Sequence, residues 1–174
     1  VAVPQKQSCC GAVAEHCGDK SRFDYLKDRN IDVFKEMDIP VLVTSSACAA
    51  LLKEYIGSNV YEICDFISQK LQSNDAIEIA EKNMKSEEKV GVYLPCTLRN
   101  KLRTEKSVFE LLKAYGIVNY IDLSSQTNCC GAAGTYMFRH KKEANRLKDR
   151  IYRKIGEENI TTVLTLNIGC RIHL

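Results

Sequence analysis

The triplet Cys-Cys-Gly occurs twice in this sequence, at Cys9-Cys10-Gly11 and at Cys129-Cys130-Gly131, with an offset of 120 residues. A disulfide between adjacent cysteines is strained, so a structural disulfide explains such pairs poorly. A following glycine can adopt backbone angles that a β-carbon forbids, which lets the chain bend both thiolates toward one centre. The repeated triplet therefore predicts that these cysteines bind a metal or a cluster.

The composition narrows the class of protein. The chain has 174 residues, is 45% hydrophobic and 27% charged, and its net charge of +3 is spread along the sequence, so no basic stripe predicts nucleic-acid binding. We find no signal peptide and no apolar run long enough to cross a bilayer. Nine cysteines, without the spacing of a small disulfide scaffold, predict a reducing, cytoplasmic compartment in which thiols are kept for ligation.

The predicted elements of the second half gather four cysteines at one place. Strands and helices alternate there, with strands at residues 89–94, 118–123 and 161–166 and helices at residues 105–115 and 137–156. This alternation predicts an α/β fold with parallel strands and right-handed connections. Cys96, Cys129, Cys130 and Cys170 then follow the carboxyl ends of strands, where open α/β sheets bind ligands. We therefore predict one crevice that contains all four thiols.

The first half repeats this order less completely. Its predicted elements are the tail of a strand at residues 1–4, an amphipathic helix at 11–37, a strand buried on both faces at 41–44, and linking helices at 60–71 and 75–82. Cys9 and Cys10 follow the first strand, and Cys48 follows the second. We predict two pseudo-symmetric βα repeats, residues 1–72 and 86–174, joined by a connector at residues 73–85.

Four cysteines around one point suit either a cubane-type iron–sulfur cluster or a structural zinc ion. Zinc sites usually take close Cys-x-x-Cys pairs, so adjacent cysteines fed from several strands favour the cluster. Two other classes stay open: a structural zinc domain that acts as a binding module, and a thiol–disulfide redox protein with Cys129 or Cys130 as nucleophile. We see no carboxylate pair, Ser-His-Asp order or phosphate-binding glycine loop, so we predict no substrate-transforming site in this chain.

Other sulfur and imidazole side chains are weaker candidates. Cys17 is a candidate fourth ligand of the first site, although a small buried hydrophobe is the commoner role of such a cysteine. Cys64 is predicted to pack in the core. His16 and His173 lie near ligand cysteines in the sequence, and we expect polar edge positions for both.

The motifs resemble the tandem cysteine-rich CCG domains of the iron–sulfur subunit of glycolate oxidase. The resemblance rests on Cys96-Thr97-Leu98, residues 129–136, residues 167–174, Cys9-Cys10-Gly11-Ala12, and Cys48 followed by residues 52–55. It covers nearly the whole chain. Related domains occur in the C subunit of anaerobic glycerol-3-phosphate dehydrogenase, in lactate-utilisation proteins and in the B subunit of heterodisulfide reductase.

The resemblance implies an electron-transfer subunit rather than a catalytic one. A partner FAD-containing flavoprotein would oxidise a 2-hydroxy acid such as glycolate, and electrons would pass through clusters toward a membrane quinone, at the inner face of the membrane. The implied cluster ligands, with [4Fe-4S] as the expected cluster, are Cys96, Cys129, Cys130 and Cys170 in the second repeat and Cys9, Cys10 and Cys48 in the first.

Family members also carry an N-terminal ferredoxin-like domain, so we expect the chain to be a C-terminal fragment whose first site takes another ligand from a preceding segment. Heterodisulfide-reductase-like domains end in Cys-x-x-Cys, but Ser45 and Asn167 stand at the first of those positions here. A five-cysteine, noncubane cluster is therefore not expected. Cluster catalysis of the heterodisulfide reductase kind, and a subunit for lactate or glycerol 3-phosphate oxidation, stay as alternatives.

Overall fold

The computed structural model describes residues 1–35, 37–73 and 89–174. Within these residues the α-helices are α1 (Ala12–His16), α2 (Lys20–Phe34), α3 (Ser46–Ile56), α4 (Ile63–Gln72), α5 (Glu105–Ala114), α6 (Tyr136–Arg139), α7 (Lys141–Glu157) and α8 (Ile168–His173). A short π-helix (Leu98–Leu102) and a 3-10 helix (Ser124–Gln126) follow β3 and β4. The strands are β1 (Val41–Val43), β2 (Val60–Glu62), β3 (Val90–Tyr93), β4 (Tyr120–Asp122) and β5 (Thr162–Thr165). All strand pairs are parallel, which confirms the predicted α/β fold.

The second half of the chain forms a three-stranded sheet in the order β4-β3-β5. The central strand β3 lies within the strand predicted at residues 89–94, and it is buried on both faces. Val92 packs on one face against Val108 and Leu112 of α5, whereas Tyr93 packs on the other face against Ala144 and Ile151 of α7. The period-two alternation of the strand thus supplies a separate core to each helix layer.

The first half forms a two-stranded sheet in which β1 pairs with β2. The prediction that residues 41–44 are buried on both faces is wrong, because Leu42 is 41% exposed. The prediction of a continuous helix over residues 60–71 is also wrong at its start. Residues 60–62 form β2, and the Glu62 carboxylate then caps α4 by accepting hydrogen bonds from the N–H groups of Cys64 and Asp65, at 3.0 and 3.3 Å.

Three further predictions are corrected by the structure. Residues 1–4 form no strand. The helix predicted over residues 11–37 is interrupted between α1 and α2, where Gly18 has φ 75° and the Asp19 carboxylate caps α2 by accepting from Arg22 N at 3.0 Å. The helix predicted over residues 137–156 is likewise interrupted, because His140 leaves the helical region between α6 and α7.

The two halves share an interface through α4 and α5. Ser68 Oγ donates to Glu110 Oε2 at 2.6 Å, and Ser107 Oγ donates to Asp65 Oδ1 at 2.8 Å. The helix predicted at residues 75–82 lies outside the described residues, as does most of the connector, so the repeat boundaries at 1–72, 73–85 and 86–174 stay predictions. None of the described helices is both long enough and apolar enough to cross a membrane.

Candidate metal centres

Three chain segments bring four cysteines together at the carboxyl edge of the three-stranded sheet. Cys96 lies three residues beyond β3, Cys129 and Cys130 lie in the loop before α6, and Cys170 lies in α8 just beyond β5. The Cys130 thiol donates a hydrogen bond to Cys170 Sγ at 3.1 Å. Cys130 and Cys96 both lower the pKa of Cys129, so both lie close to it. The structure therefore brings the four predicted thiols together at this edge of the sheet.

The loop after the second cysteine pair curls around sulfur. Gly131, Ala133 and Gly134 all have positive φ, at 98°, 30° and 63°. A β-carbon on Gly131 would lie 2.6 Å from the backbone oxygen of Ala144 in α7, so only glycine fits there. The N–H group of Gly131 donates to Cys129 Sγ at 3.3 Å. Inward backbone N–H groups of this kind form a concavity that favours anions.

Polar side chains fix the segments that carry the thiols. Arg99 Nη2 donates to the backbone oxygen of Asn128 at 2.9 Å, which anchors the loop. Asn167 Oδ1 accepts from the N–H groups of Gly169 and Cys170, at 2.8 and 3.4 Å. Asn167 is thus the N-cap of α8. Asn167 therefore has a structural role at the position where the Cys-x-x-Cys pattern has a cysteine.

The thiols of the second site titrate unequally. Hydrogen bonds from Cys130 and Cys96 lower the pKa of Cys129 to about 2. The same bonds, with burial, raise the pKa of Cys130 and of Cys96 far above the usual value for a thiol. One thiolate therefore forms readily, and like-charge repulsion opposes the next. A cationic centre would remove that repulsion and let all four thiols bind as thiolates.

The first site contains the three cysteines predicted for it. The Cys10 thiol donates to Cys48 Sγ at 2.9 Å, and Cys9 is exposed beside them. This hydrogen bond lowers the pKa of Cys48 to about 7 and, with burial, raises that of Cys10. Gly11 has φ 89°, close to the 98° of Gly131. The two triplets therefore bend the backbone in the same way.

Asn30, which the sequence analysis did not single out, holds the first cysteine pair in place. Its side chain is 1% exposed and donates to the backbone oxygen of Cys9 at 3.0 Å and to the Tyr55 hydroxyl at 3.1 Å. Its Oδ1 accepts from the N–H group of Ser8 at 2.9 Å. Tyr55 in turn donates to the backbone oxygen of Cys10 at 3.1 Å. The available signal was the position of Asn30, four residues after Leu26 on the apolar face of α2.

A buried hydroxyl joins the two sites. Ser46 is fully buried, and its Oγ lies 2.8 Å from Thr97 Oγ1. Its N–H group donates to the backbone oxygen of Leu166 at 2.8 Å. Ser46 is two residues from Cys48, and Thr97 is adjacent to Cys96. The segments that carry a ligand candidate of each site are therefore in direct contact.

The weaker candidates lie apart from the thiol clusters or against their edges. Cys17 Sγ lies 3.2 Å from Thr135 Oγ1, so Cys17 contacts the second motif although it follows the first. Cys64 packs beside the core of α5, and burial raises its pKa to about 12. His173 Nε2 lies 3.3 Å from the backbone oxygen of Ala144. The His16 side chain lies next to Gly134.

The thiols at both sites are suitable ligands for a metal centre that is bound through sulfur. The candidate ligands of both sites are all thiols, and at the second site the N–H group of Gly131 also donates to Cys129 Sγ. Within the described residues, no group of three or more His, Cys, Asp or Glu side chains meets the geometry of a site for a metal ion as it stands. The thiols instead contact each other at 2.9 and 3.1 Å, closer than the ~3.8 Å between sulfurs around a tetrahedral zinc ion with Zn–S of about 2.3 Å, so either a zinc ion or a larger cluster would have to separate them.

Comparison with known proteins gives a family and several relatives. The profile of the cysteine-rich domain CCG matches residues 1–53 and 90–174. An uncharacterized iron–sulfur protein of Methanocaldococcus jannaschii is 27% identical over 175 residues, which is 100% of this chain and 34% of the relative. None of the solved structures matches the chain significantly.

Two relatives have more specific names. The probable glycolate oxidase iron–sulfur subunit of Bacillus subtilis is 24% identical over 189 residues, which cover 100% of this chain and 42% of the relative. The glycolate oxidase iron–sulfur subunit of Escherichia coli is 27% identical over 180 residues, which cover 95% of this chain and 44% of the relative. The chain thus spans less than half the length of each of these relatives.

Proposed function

The chain belongs to the CCG family of cysteine-rich domains, and from that premise we propose that it binds iron–sulfur clusters at its two Cys-Cys-Gly sites and transfers electrons within an oxidoreductase complex. The family assignment confirms the resemblance drawn from the motifs. A bound cluster would supply reversible one-electron chemistry, and the chain would supply its ligands, its burial and its hydrogen bonds.

The observation that carries the proposal is the convergence of four thiols from three separate segments. The contact between Cys130 and Cys170 joins a loop to a helix that lies 40 residues further along the chain. Cys10 and Cys48 repeat this contact in the first half, across 38 residues. A core packed only for stability does not need two such thiol clusters at equivalent places beside left-handed glycines.

Two features support an iron–sulfur cluster over zinc. The second site has adjacent cysteines, and the N–H group of Gly131 donates to Cys129 Sγ; hydrogen bonds to sulfur are one means by which proteins set cluster potentials. The three relatives compared above are all named as iron–sulfur proteins or subunits. We take [4Fe-4S] as the cluster type, with Cys96, Cys129, Cys130 and Cys170 as its ligands at the second site. We take Cys9, Cys10 and Cys48 as ligands at the first.

The proposed partner is a flavoprotein that oxidises a 2-hydroxy acid. Two of the relatives are named as subunits of glycolate oxidase, which supports a substrate of this class for the complex. The proposed route carries electrons from the partner's FAD through this chain toward a quinone at the inner face of the membrane. Bond making and breaking in the organic substrate then belong to the partner.

The test measures iron, acid-labile sulfide and zinc in anaerobically purified protein, together with its visible spectrum. We expect equal amounts of iron and sulfide with broad brown absorption. The Cys129→Ser/Cys130→Ser variant should lose the iron, the sulfide and the absorption that belong to the second site. Cys17→Ser is the matched control, because Cys17 is exposed and contacts Thr135 rather than another thiol.

Reversible reduction separates electron transfer from a purely structural cluster. We expect one-electron reduction by dithionite and full recovery on reoxidation, followed by low-temperature electron paramagnetic resonance. Zinc alone, or no metal with a reversible thiol titration, would contradict the cluster proposal. A cluster that is destroyed by one reduction cycle would contradict the electron-transfer role.

A further inference from the structure

Tyr93 has an unexplained polar group in the core. Its side chain is 0% exposed, and its hydroxyl has no hydrogen-bond partner within the described part of the chain. Burying a hydroxyl without a partner costs free energy, so nearly all such groups in folded proteins are paired. A group that stays unpaired in a well-packed core calls for a specific explanation.

The position of Tyr93 places this hydroxyl beside the second thiol site. Tyr93 is the last residue of β3, three residues before Cys96. Its side chain belongs to the same packed cluster as Cys130 and Cys170. The unpaired hydroxyl therefore belongs to a side chain that packs in the same part of the core as two thiols of the second site.

The geometry points to Tyr93 as a hydrogen-bond donor to sulfur of the cluster held at the second site, an inference that rests on the proposed function. A protonated phenol is a donor, and cluster sulfur and cysteine thiolates are acceptors. Loading the site would give the unpaired hydroxyl the partner that it lacks. Tyr93 is then a positioning and tuning residue rather than a ligand.

The first site offers an internal contrast. Tyr55 is the tyrosine beside Cys10 and Cys48, but its hydroxyl already accepts from Asn30 and donates to the backbone oxygen of Cys10. Of these two tyrosines, Tyr93 is the one whose buried hydroxyl has no partner in the described part of the chain. The first site instead has a smaller unpaired hydroxyl, that of Ser45, three residues before Cys48.

A hydrogen bond to cluster sulfur stabilises the reduced state more than the oxidised one, because reduction adds negative charge. Removing the donor should therefore make the midpoint potential of the second site more negative. It should also change the stability of the two forms in opposite directions. Without a cluster the unpaired hydroxyl destabilises the folded protein, and with a cluster it contributes a hydrogen bond to sulfur.

The experiment uses the whole anaerobically loaded chain and compares Tyr93→Phe with Tyr120→Phe. Tyr120 is the control, because it is also a strand tyrosine but is only partly buried and stacks on Phe109 at 5.3 Å, in the other core. Midpoint potentials come from redox titration followed by electron paramagnetic resonance. Iron–sulfur stretching frequencies in H2O and D2O report exchangeable hydrogen bonds, and melting temperatures are measured with and without the cluster.

We expect Tyr93→Phe to shift the potential to more negative values, to reduce the D2O shift of the stretching bands, and to lower the melting temperature of the loaded form only. The metal-free variant should melt at the wild-type temperature or above it. Equal potentials and equal D2O shifts in wild type and Tyr93→Phe would overturn the inference. So would an equal loss of melting temperature in both forms, which indicates a packing role.

A second replacement covers the case in which Tyr93→Phe fails to fold or load. Incorporating 3-fluorotyrosine throughout the chain keeps the ring and makes the hydroxyl a stronger donor, so the potential should move to more positive values. No movement would overturn the inference. Absence of iron and sulfide from the wild-type protein would instead defeat the proposed function, so the two failures are distinguishable.

Discussion

The two Cys-Cys-Gly sites start from nearly the same backbone bend but are completed differently. After Gly131 the chain curls through a loop with further positive φ angles and does not become helical until Tyr136, whereas after Gly11 helix α1 begins at once. The second site has four thiols beside a central, fully buried strand. The first has three, and Cys9 among them is exposed.

The comparison separates a local cause from a tertiary one. The Cys-Cys-Gly triplet sets the bend, because φ is 89° at Gly11 and 98° at Gly131. The number of strands and helices around the bend sets how far sulfur is withdrawn from water. A three-stranded sheet with helices on both faces buries Cys130 to 1% exposure, and the two-stranded sheet leaves more of its site open.

The largest expected effect comes from adding a methyl group at the second bend. Gly131→Ala would place a β-carbon 2.6 Å from backbone of α7, so overpacking and the strained φ should together cost about 4 kcal/mol of unfolding free energy. Gly11→Ala should cost about half as much, because its β-carbon would lie 2.9 Å from the movable Phe23 ring. Urea denaturation measures both.

Gly18→Ala is the matched control for these glycines. Gly18 also has positive φ, at 75°, but a β-carbon there would meet nothing within 4 Å. Backbone strain alone should therefore cost about 1 kcal/mol. If Gly131→Ala were no more destabilising than Gly18→Ala, the close approach of α7 to the second motif would not constrain that bend.

The next effect compares the polar anchors of the two sites. Asn30→Ala removes four hydrogen bonds from a residue that is 1% exposed and should cost about 3 kcal/mol. Arg99→Ala removes the anchor of the second loop at its partly exposed end and should cost about 1 kcal/mol. Chemical denaturation of the metal-free forms measures both values. Asn145→Ala, on the exposed face of α7, is the control and should change little.

Equal losses of unfolding free energy in Asn30→Ala and Arg99→Ala would contradict this difference between the sites. The buried Asn30 side chain would then stabilise the first cysteine pair no more than the partly exposed Arg99 stabilises the second. Iron content after reconstitution adds a second reading, since loss of either anchor should reduce loading at its own site only.

The pH dependence of the metal-free protein should also distinguish the sites. Above about pH 9 an unfolded chain ionises its thiols, whereas raised pKa values keep Cys10, Cys96 and Cys130 protonated in the folded state. The unfolded state then binds fewer protons, so stability falls as pH rises, by about 1 kcal/mol per thiol for each pH unit. Below the pKa of the thiols in the unfolded state, their contribution to the unfolding free energy is fully present.

Two variants divide that pH dependence between the sites. Cys96→Ala/Cys130→Ala should remove roughly twice as much of the alkaline loss of stability as Cys10→Ala. The double variant removes two thiols with raised pKa values, whereas Cys10→Ala removes one. Unfolding free energies between pH 8 and 10.5 provide the measurement, with Cys17→Ala as the control. An alkaline slope unchanged in both variants would mean that these thiols do not cause it.

The smallest effect concerns the link between the sites. Ser46→Ala and Thr97→Val each remove the buried hydroxyl contact at 2.8 Å, and the double-mutant cycle should give a coupling free energy of about 1 kcal/mol. Ser125→Ala, on an exposed turn, serves as the control residue in the same urea experiments. A coupling near zero would indicate that the two sites are independent in stability as well as in sequence.

Much of the second half could be predicted from periodicity alone. Residues 89–94 form a short apolar run that becomes a strand buried on both faces, and the alternation with helices predicted parallel pairing correctly. The contact of Cys130 with Cys170 followed from strand order, because parallel strands present their carboxyl ends at one edge.

The errors fall where a segment depends on a distant partner. Residues 60–62 were predicted as helix, but their backbone groups pair with β1, as in Val60 with Val41. Residues 41–44 have the composition of a buried strand, but Leu42 is 41% exposed because the sheet has only two strands in the described part of the chain. Propensity is local, whereas pairing and burial depend on what the rest of the chain brings near.

The sequence by itself determined the chemistry of this protein: thiols in pairs, glycines that bend them toward one point, and strands that end at the same edge. Tertiary structure alone decided which other groups serve those thiols. Asn30, Ser46 and Tyr93 have no motif, and their roles arise because burial removes water and leaves each polar atom dependent on the partner that packing supplies. Residue order places the thiols, and three-dimensional packing selects the polar groups that surround them.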